Sequence, residues 1–435
     1  MELPSISVIL FSTLIILMFL NCPISVCLGL STTLTLIYAN HYLNYNMPLI
    51  LVPQKLFTSV DSFPLMAIPF FMIAGALMEH GGISKRLVGV AQAIIGSLTG
   101  GLAMVTIMAS MFFAAISGSS PATVAAIGSL MIPAMVKQGY DLSFASACQA
   151  SAGYIGVIIP PSIPMITYGV VTGASIGTLF MAGFMPGIYI GAALMAVAFV
   201  TAKRRKYSGG EKTTFKQFWK AFREGFWAIL MPILILGGIY GGFFTPTEAA
   251  NVAVVYGFIV SFFIYKELKL KNIPLILRTA AISSAMVMLL IATATAFGIM
   301  MTREKIPAAM ASFFISLTTN PVYFLLLVNV LLLILGTFLE TNAAIIIVTP
   351  ILYPVAMQMG VDPIHFGIIV VINLAIGMVT PPLGVNLFVA CGLTKLKVEK
   401  IVAANWWFLL VSILVLLALT YFPSLSLMLP RLLQQ

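Results

Sequence analysis

The sequence predicts an all-α polytopic membrane protein with two inverted-topology repeats, each holding about five spanning helices and one re-entrant hairpin. Three observations predict it. Hydrophobic residues make up 61% of the 435 positions, charged residues 8%, and the mean hydropathy is +1.10. The two halves of the chain repeat. Two long apolar stretches are broken near their middles by polar residues. An ordinary soluble domain carries about a quarter charged residues, so a soluble enzyme, a disordered chain and a fibrous protein are excluded. The apolar runs are continuous rather than alternating, which excludes an outer-membrane barrel.

A spanning helix needs about 20 apolar residues. In chain order the expected spans are residues 4–20, 24–40, 64–79, 143–170, 178–200, 226–243, 247–265, 279–300, 364–392 and 402–422. The first run resembles a signal peptide, but Glu2 stands where a basic region belongs and no cleavage site follows, so it counts as a helix. Four cysteines (Cys22, Cys27, Cys148, Cys391) lie in apolar surroundings without CxxC spacing, against a disulfide framework or a zinc site. The interrupted stretches are 97–136 and 320–357. Ser117-Gly118-Ser119-Ser120-Pro121 breaks the first, Glu340-Thr341-Asn342 the second. Each is expected to be a re-entrant hairpin.

Residues 203–224 hold eight of the 22 basic residues: Lys203, Arg204, Arg205, Lys206, Lys212, Lys216, Lys220 and Arg223. Phe215, Phe218, Trp219 and Phe222 recur at helical spacing beside them. This pattern predicts an amphipathic linker helix on the inner leaflet, the alternative being a solvated linker. It divides the chain into a first repeat, 1–202, and a second, 225–435.

A shift of 221 lays residues 133–161 on 354–382 without a gap. The pairs Pro133/Pro354, Gly139/Gly360, Asp141/Asp362, Ile155/Ile376, Gly156/Gly377, Pro160/Pro381 and Pro161/Pro382 are identical. Most are Gly or Pro, which set backbone shape. Asn21-Cys22-Pro23-Ile24 and Phe244-Thr245-Pro246-Thr247 also correspond, at a slightly different offset.

Net charge is +10. With the N-terminus outside and both hairpins returning to their own side, the inside loops are 79–87, 137–142, 203–224, 266–278 and 395–400. They hold 18 of the 22 basic residues, leaving Lys55, Arg303, Lys305 and Arg431 outside. The charge therefore marks cytoplasmic loops rather than a nucleic-acid surface. An odd number of spans inverts the second half relative to the first.

Inverted repeats with broken helices are the pattern of secondary transporters. The spans facing the hairpin tips carry Gly153, Gly156, Pro160, Pro161 and Pro164, then Gly377, Pro381, Pro382 and Gly384. Proline frees a carbonyl one turn earlier. Freed carbonyls, hydroxyls and amide oxygens suit a hard cation such as Na⁺. One cation site is expected from Ser117, Ser119 and Ser120 with the carbonyls from Gly156 to Ile159. A second is expected from Gly336, Thr341, Asn342, Gly377 and Thr380. Helix N-termini at the same tips favour an anion. Candidate substrate contacts are Ser120, Pro121, Pro160, Pro161, Glu340, Pro381 and Pro382. The same small residues also serve plain helix packing. Among acidic residues, Glu248 reads as a helix cap after Pro246-Thr247, Glu340 as a tip residue that orients the loop or lines the cavity, and Asp141 and Asp362 as caps or turns. His41, His80 and His365 have no second ligand nearby in sequence, against a metal enzyme.

The stretch Gly241-Gly242-Phe243-Phe244-Thr245-Pro246-Thr247-Glu248-Ala249-Ala250, the Ser-Gly-Ser-Ser-Pro tip and the two Pro-Pro breaks resemble the large membrane subunit of TRAP transporters, the DctM/SiaM type. The likeness covers essentially the whole chain and looks closest to the sialic acid importers. It implies Na⁺-driven import of an organic acid anion, sialic acid or a C4-dicarboxylate, through a prokaryotic inner membrane. It implies an elevator movement of a hairpin-bearing transport domain against a scaffold. It also implies two partners, a small four-helix membrane subunit and a periplasmic substrate-binding protein. Competing readings are a stand-alone Na⁺–dicarboxylate symporter, a channel, and an intramembrane serine protease on Ser119, which would need a general base within reach.

Overall fold

The computed structural model describes residues 5–207, 209–210 and 213–433. Glu2, Pro4 and Lys212 lie outside the described residues. Among those described there is no strand, and nine helical segments are long and apolar enough to cross a membrane.

The first half runs α1 (Ile6–Phe19), α2 (Ile24–Leu43), α3 (Leu51–Thr58), α4 (Ala67–His80, entered through a 3₁₀ turn, Phe63–Met66), α5 (Ile83–Ile95), α6 (Gly101–Ser117), α7 (Ser120–Lys137), α8 (Leu142–Tyr154), α9 (Ile163–Thr172) and α10 (Ile176–Arg204). The second runs α11 (Phe215–Tyr240), α12 (Pro246–Ile259, continued by a π turn, Val260–Ile264), α13 (Ile273–Arg303), α14 (Ile306–Leu317), α15 (Pro321–Phe338), α16 (Thr341–Gln358), α17 (Pro363–Gly377), α18 (Val385–Thr394), α19 (Val398–Tyr421) and α20 (Ser424–Leu433).

Local sequence explains several boundaries. Asp141 caps α8 and Asp362 caps α17, each carboxylate accepting amides of the first turn at 2.9 Å. Thr245 and Glu248 form a capping box at α12, with Glu248 accepting from the Thr245 N–H at 2.8 Å. Pro246, Pro321 and Pro363 open their helices, where a missing N–H does no harm.

The 221-residue shift reaches well beyond the residues that are identical. It carries α7, residues 120–137, onto α16, residues 341–358. It also matches α5 with α14, α6 with α15, α8 with α17, α9 with α18 and α10 with α19, to within a few residues at most ends. The Pro160–Pro161 and Pro381–Pro382 peptides are both cis.

Several expected boundaries shift. The expected spans 143–170 and 364–392 are each two helices with a break between them. The short helices α3, α5, α14 and α20 were not expected. The expected surface helix over 203–224 does not form as one element. α10 continues to Arg204, and α11 opens at Phe215 and runs without interruption to Tyr240. Thr214 and Gln217 set that start through a capping box. Phe215 (81% exposed) and Trp219 (58%) therefore extend from the first turns of a long helix.

The halves interlock rather than lie side by side. α7 of the first hairpin packs on α18, and α16 of the second packs on α9. Likewise α8 packs on α19 and α17 on α10. One continuous apolar core joins them. Buried tyrosines bridge the join: the Tyr154 hydroxyl lies 2.5 Å from that of Ser412, and Tyr168 donates to the Pro363 carbonyl at 2.9 Å.

Candidate functional site: two hairpin tips facing two broken helices

At the first tip, α6 ends on Ser117, Gly118 takes a φ of +59°, and α7 starts at Ser120. A side chain at Gly118 would be strained by that φ and would also meet the Pro161 carbonyl at 2.7 Å. The Gly118 carbonyl accepts from the Ile163 N–H at 3.5 Å, so the tip reaches across to the break before α9. The hydroxyls of Ser117 and Thr123 lie 3.2 Å apart, and Thr123 donates to the Ser119 carbonyl at 2.8 Å. Gly156 lets the break approach this cluster: a Cβ there would sit 2.5 Å from Thr123 Oγ1 and 2.7 Å from the Ser119 carbonyl.

The geometry thus gathers Ser117, the Ser119 carbonyl and Gly156 around Thr123. Ser120 is engaged elsewhere, donating to Asn386 Oδ1 at 2.9 Å on α18. The Val157 carbonyl accepts from Ser162 at 2.6 Å, and the Ile159 side chain packs toward Gly187. Pro160 and Pro161 are buried, and Pro121 is half-buried on α7.

At the second tip, Leu339 and Glu340 are extended and α16 starts at Thr341. Exposed Glu340 is the cap. Its carboxylate accepts from the Asn342 and Ala343 amides at 2.9 and 3.2 Å and from Asn342 Nδ2 at 2.9 Å. Gly336 and Gly377 bring α15 and α17 into backbone contact. Thr380 donates its N–H to the Gly377 carbonyl at 3.0 Å and its hydroxyl to Ile376 at 2.8 Å. Asn342 Oδ1 accepts from Thr167 of α9 at 3.0 Å. Thr341 Oγ1 is fully buried and has no hydrogen-bond partner among the described residues. A buried orphan hydroxyl is costly, and an oxygen ligand for a cation is one resolution of it. Pro381 and Pro382 are exposed, unlike their buried counterparts in the first half.

Four helix N-termini, those of α7, α9, α16 and α18, meet at these tips and breaks. Their partial positive charge favours an anion. The oxygen donors nearby are neutral apart from Glu340, whose carboxylate is spent on capping. Such a set suits a hard monovalent cation better than a divalent metal.

Sequence reasoning missed four buried amides: Asn386 ties the first tip to the opposite half, Asn405 joins α8 to the second break, and Asn329 and Asn373 link helices within the second half. Asn386 accepts from Ser120 and donates to the Ala150 carbonyl at 3.0 Å. Asn405 accepts from Ser151 at 2.5 Å and donates to the Val379 carbonyl at 3.0 Å. Asn373 donates to Asn329 at 2.7 Å, which donates to Thr420 at 3.1 Å. The available signal was a lone amide inside an apolar run, which is costly unless paired. Asn386→Leu is expected to leave the buried Ser120 hydroxyl without its acceptor and to destabilise the fold by about 1–3 kcal/mol. Thermal unfolding in detergent checks this; an unchanged midpoint would mean that the tie does not hold the tip.

A cavity of about 550 Å³ opens between α13 and the α9–α16 pair. Ser59, Thr295, Thr302 and Arg303 supply its polar lining, and Ile346 and Pro350 of α16 lie on its far wall. The Arg303 guanidinium sits over the Tyr45 ring at 4.5 Å.

Comparison with known proteins gives this architecture a family. The chain is 49% identical over 417 residues to an isethionate TRAP transporter permease protein, DctMQ, of Oleidesulfovibrio alaskensis, covering 96% of this chain and 65% of that protein's length. It is 42% identical to a C4-dicarboxylate TRAP transporter large permease protein, DctM, of Rhodobacter capsulatus, over 98% of this chain and 99% of the relative. It is 38% identical to the sialic acid TRAP transporter large permease protein SiaM of Vibrio cholerae, over 87% of this chain and 89% of that one. The crystal structure of the Alcanivorax borkumensis YdaH transporter shares the fold, with a TM-score of 0.61 at 13% identity over 85% of this chain and 88% of that one. The family model for the DctM component of tripartite ATP-independent periplasmic transporters matches residues 11–425. This chain belongs to that family: it is a large transporter permease and not an enzyme.

Proposed function

We propose that the chain imports an organic acid anion through a bacterial inner membrane, coupled to Na⁺, by an elevator movement. The observation that carries this reading is the paired arrangement of tip and break, with the buried, unpartnered Thr341 hydroxyl at one of them. Residues 1–202 and 225–435 act as inverted repeats joined through 203–224, with the N-terminus outside. One cation site takes oxygens from Ser117, Ser119 and the Gly156 region, with Thr123 beside them. The other uses Thr341 with Asn342, Gly336, Gly377 and Thr380. The anion binds between the tips, beside Ser120, Pro121, Glu340 and the two Pro-Pro breaks.

Coupling needs no force. Ions that order the tips raise the affinity for the anion in one state over the other. The unequal exposure of Pro160–Pro161 and Pro381–Pro382 supports alternating access, because one break is sealed while the other is open. The interlocked hairpins, α8, α9, α17 and α18 move together. α13, α4 and α12 serve as part of the scaffold, and the 550 Å³ cavity between α13 and the α9–α16 pair is the outer vestibule.

The relatives' names point to isethionate, a C4-dicarboxylate or sialic acid as substrate, and to a small membrane subunit and a periplasmic binding protein as partners. Uptake into proteoliposomes tests this directly. The chain with its small subunit and binding protein should accumulate one of succinate, sialic acid or isethionate only when Na⁺ is outside. Uptake without the binding protein would favour a stand-alone symporter, and uptake without Na⁺ would remove the coupling.

A further inference from the structure

A second lined cavity lies away from the tips, between α10 and α19, with a volume of about 610 Å³. Its walls are mostly apolar: Ala193, Val197 and Val200, with Thr201, on one side, Trp407 and Val411 on the other. Its end is not. Arg204 and Arg205 close it at the C-terminus of α10. Val200 is 47% exposed and Trp407 56%, so the groove opens sideways, off the surface of the bundle.

The dimensions select an occupant. From Ala193 to Arg204 the helix rises about 16 Å, close to half of the roughly 30 Å hydrocarbon core. An acyl chain of one leaflet matches that length. A small soluble anion would use the arginines and leave the apolar walls bare, and an apolar peptide would leave the arginines unused. Arg205 has Asp141 at 3.8 Å, a pair exposed to solvent on both sides, and it faces the Phe144 ring at 5.5 Å. Arg204 has no ion pair among the described residues. The groove therefore keeps net positive charge where a headgroup would lie.

We propose that this groove is a binding site for an anionic phospholipid of the inner leaflet, with its phosphate on Arg204 and Arg205 and one acyl chain along α10 against Trp407. The leaflet rests on the orientation proposed above; the site itself depends on neither that orientation nor the transported substrate.

Trp407 forms a wall of the groove and reports its occupant. The full chain is reconstituted in phosphatidylcholine vesicles with a small fraction of phosphatidylglycerol, brominated on the acyl chains of one lipid or the other. Subtracting the Trp407→Phe protein isolates the signal of Trp407. One basic residue at a membrane surface is worth about a five-fold enrichment of an anionic lipid. Brominated phosphatidylglycerol should therefore quench Trp407 at least about five-fold more, per mole fraction, than brominated phosphatidylcholine. The preference should vanish in R204Q/R205Q and persist in R204K/R205K, which guards against a misfolded variant. Both leaflets carry the brominated lipid, so a reversed orientation leaves the readout unchanged. Equal quenching by the two lipids, a preference that survives R204Q/R205Q, or no quenching because a protein segment fills the groove would each overturn the proposal.

Discussion

Gly377→Ala is expected to abolish uptake and to destabilise the protein by about 3 kcal/mol or more. A Cβ at Gly377 would lie 2.5 Å from the Gly336 backbone, at both its Cα and its carbonyl carbon. Overpacking in a core usually costs about 1–3 kcal/mol because side chains can yield. Here the obstacle is main chain on α15, so the helices themselves must part. The reverse change should be milder. A Cβ at Gly336 would meet the Gly377 and Leu374 Cα atoms at 3.1 Å, a contact that small shifts can absorb. Gly237→Ala on α11 is the control, since a Cβ there meets nothing within 4 Å. In a helix interior that change is neutral or stabilising by up to about 1 kcal/mol. Thermal unfolding of the three variants, with uptake measured in parallel, gives the order. If Gly377→Ala unfolds with wild type, α15 and α17 do not meet through these glycines and the second tip is wrongly built.

That contact illustrates what the sequence made legible. Gly377 is one of the positions identical with its counterpart, Gly156, and both serve close approach of a broken helix to a hairpin. Glycine and proline constrain backbone shape locally, so the repeat could be read from 29 aligned residues, although the matched helices run from α5 to α10. Helix caps at Asp141, Asp362 and Glu248 were legible for the same reason, because a cap acts within four residues. The short helices α3, α5 and α20 were not: each carries a polar, charged or proline residue within few turns, and none resembles a span. Interlocking was out of reach altogether. Ser120 finds Asn386 across 266 residues, and nothing in either neighbourhood names the other. A serine grouped by adjacency with Ser117 and Ser119 thus proves to be tied to the opposite half. The lone amides Asn329, Asn373, Asn386 and Asn405 were visible, but their partners depend on which helices meet.

The distinction between tie and ligand separates two residues that occupy equivalent places under the 221-residue shift, Ser120 and Thr341. Thr341→Val keeps the volume and removes the hydroxyl. If that hydroxyl is a Na⁺ ligand, the Na⁺ concentration for half-maximal uptake should rise about ten-fold, equivalent to about 1.4 kcal/mol. Stabilisation by Na⁺ should fall in step. At a concentration 100 times its Kd an ion stabilises the folded state by about 2.7 kcal/mol, and after a ten-fold loss of affinity by about 1.4 kcal/mol. Without Na⁺ the sign reverses, because valine removes a buried hydroxyl that has no partner, and the variant should unfold at or above the wild-type temperature. Ser120→Ala should behave otherwise. It deletes a hydrogen bond to Asn386 that exists with or without the ion, so it should lower stability equally in both conditions. Uptake and thermal unfolding, each measured across a Na⁺ titration with the balance made up by choline, read out both variants. Thr341→Val with unchanged Na⁺ dependence would remove Thr341 from the site. A Na⁺-dependent loss of stability in Ser120→Ala would mean that its hydroxyl leaves Asn386 to bind the ion, and both tips would then work alike.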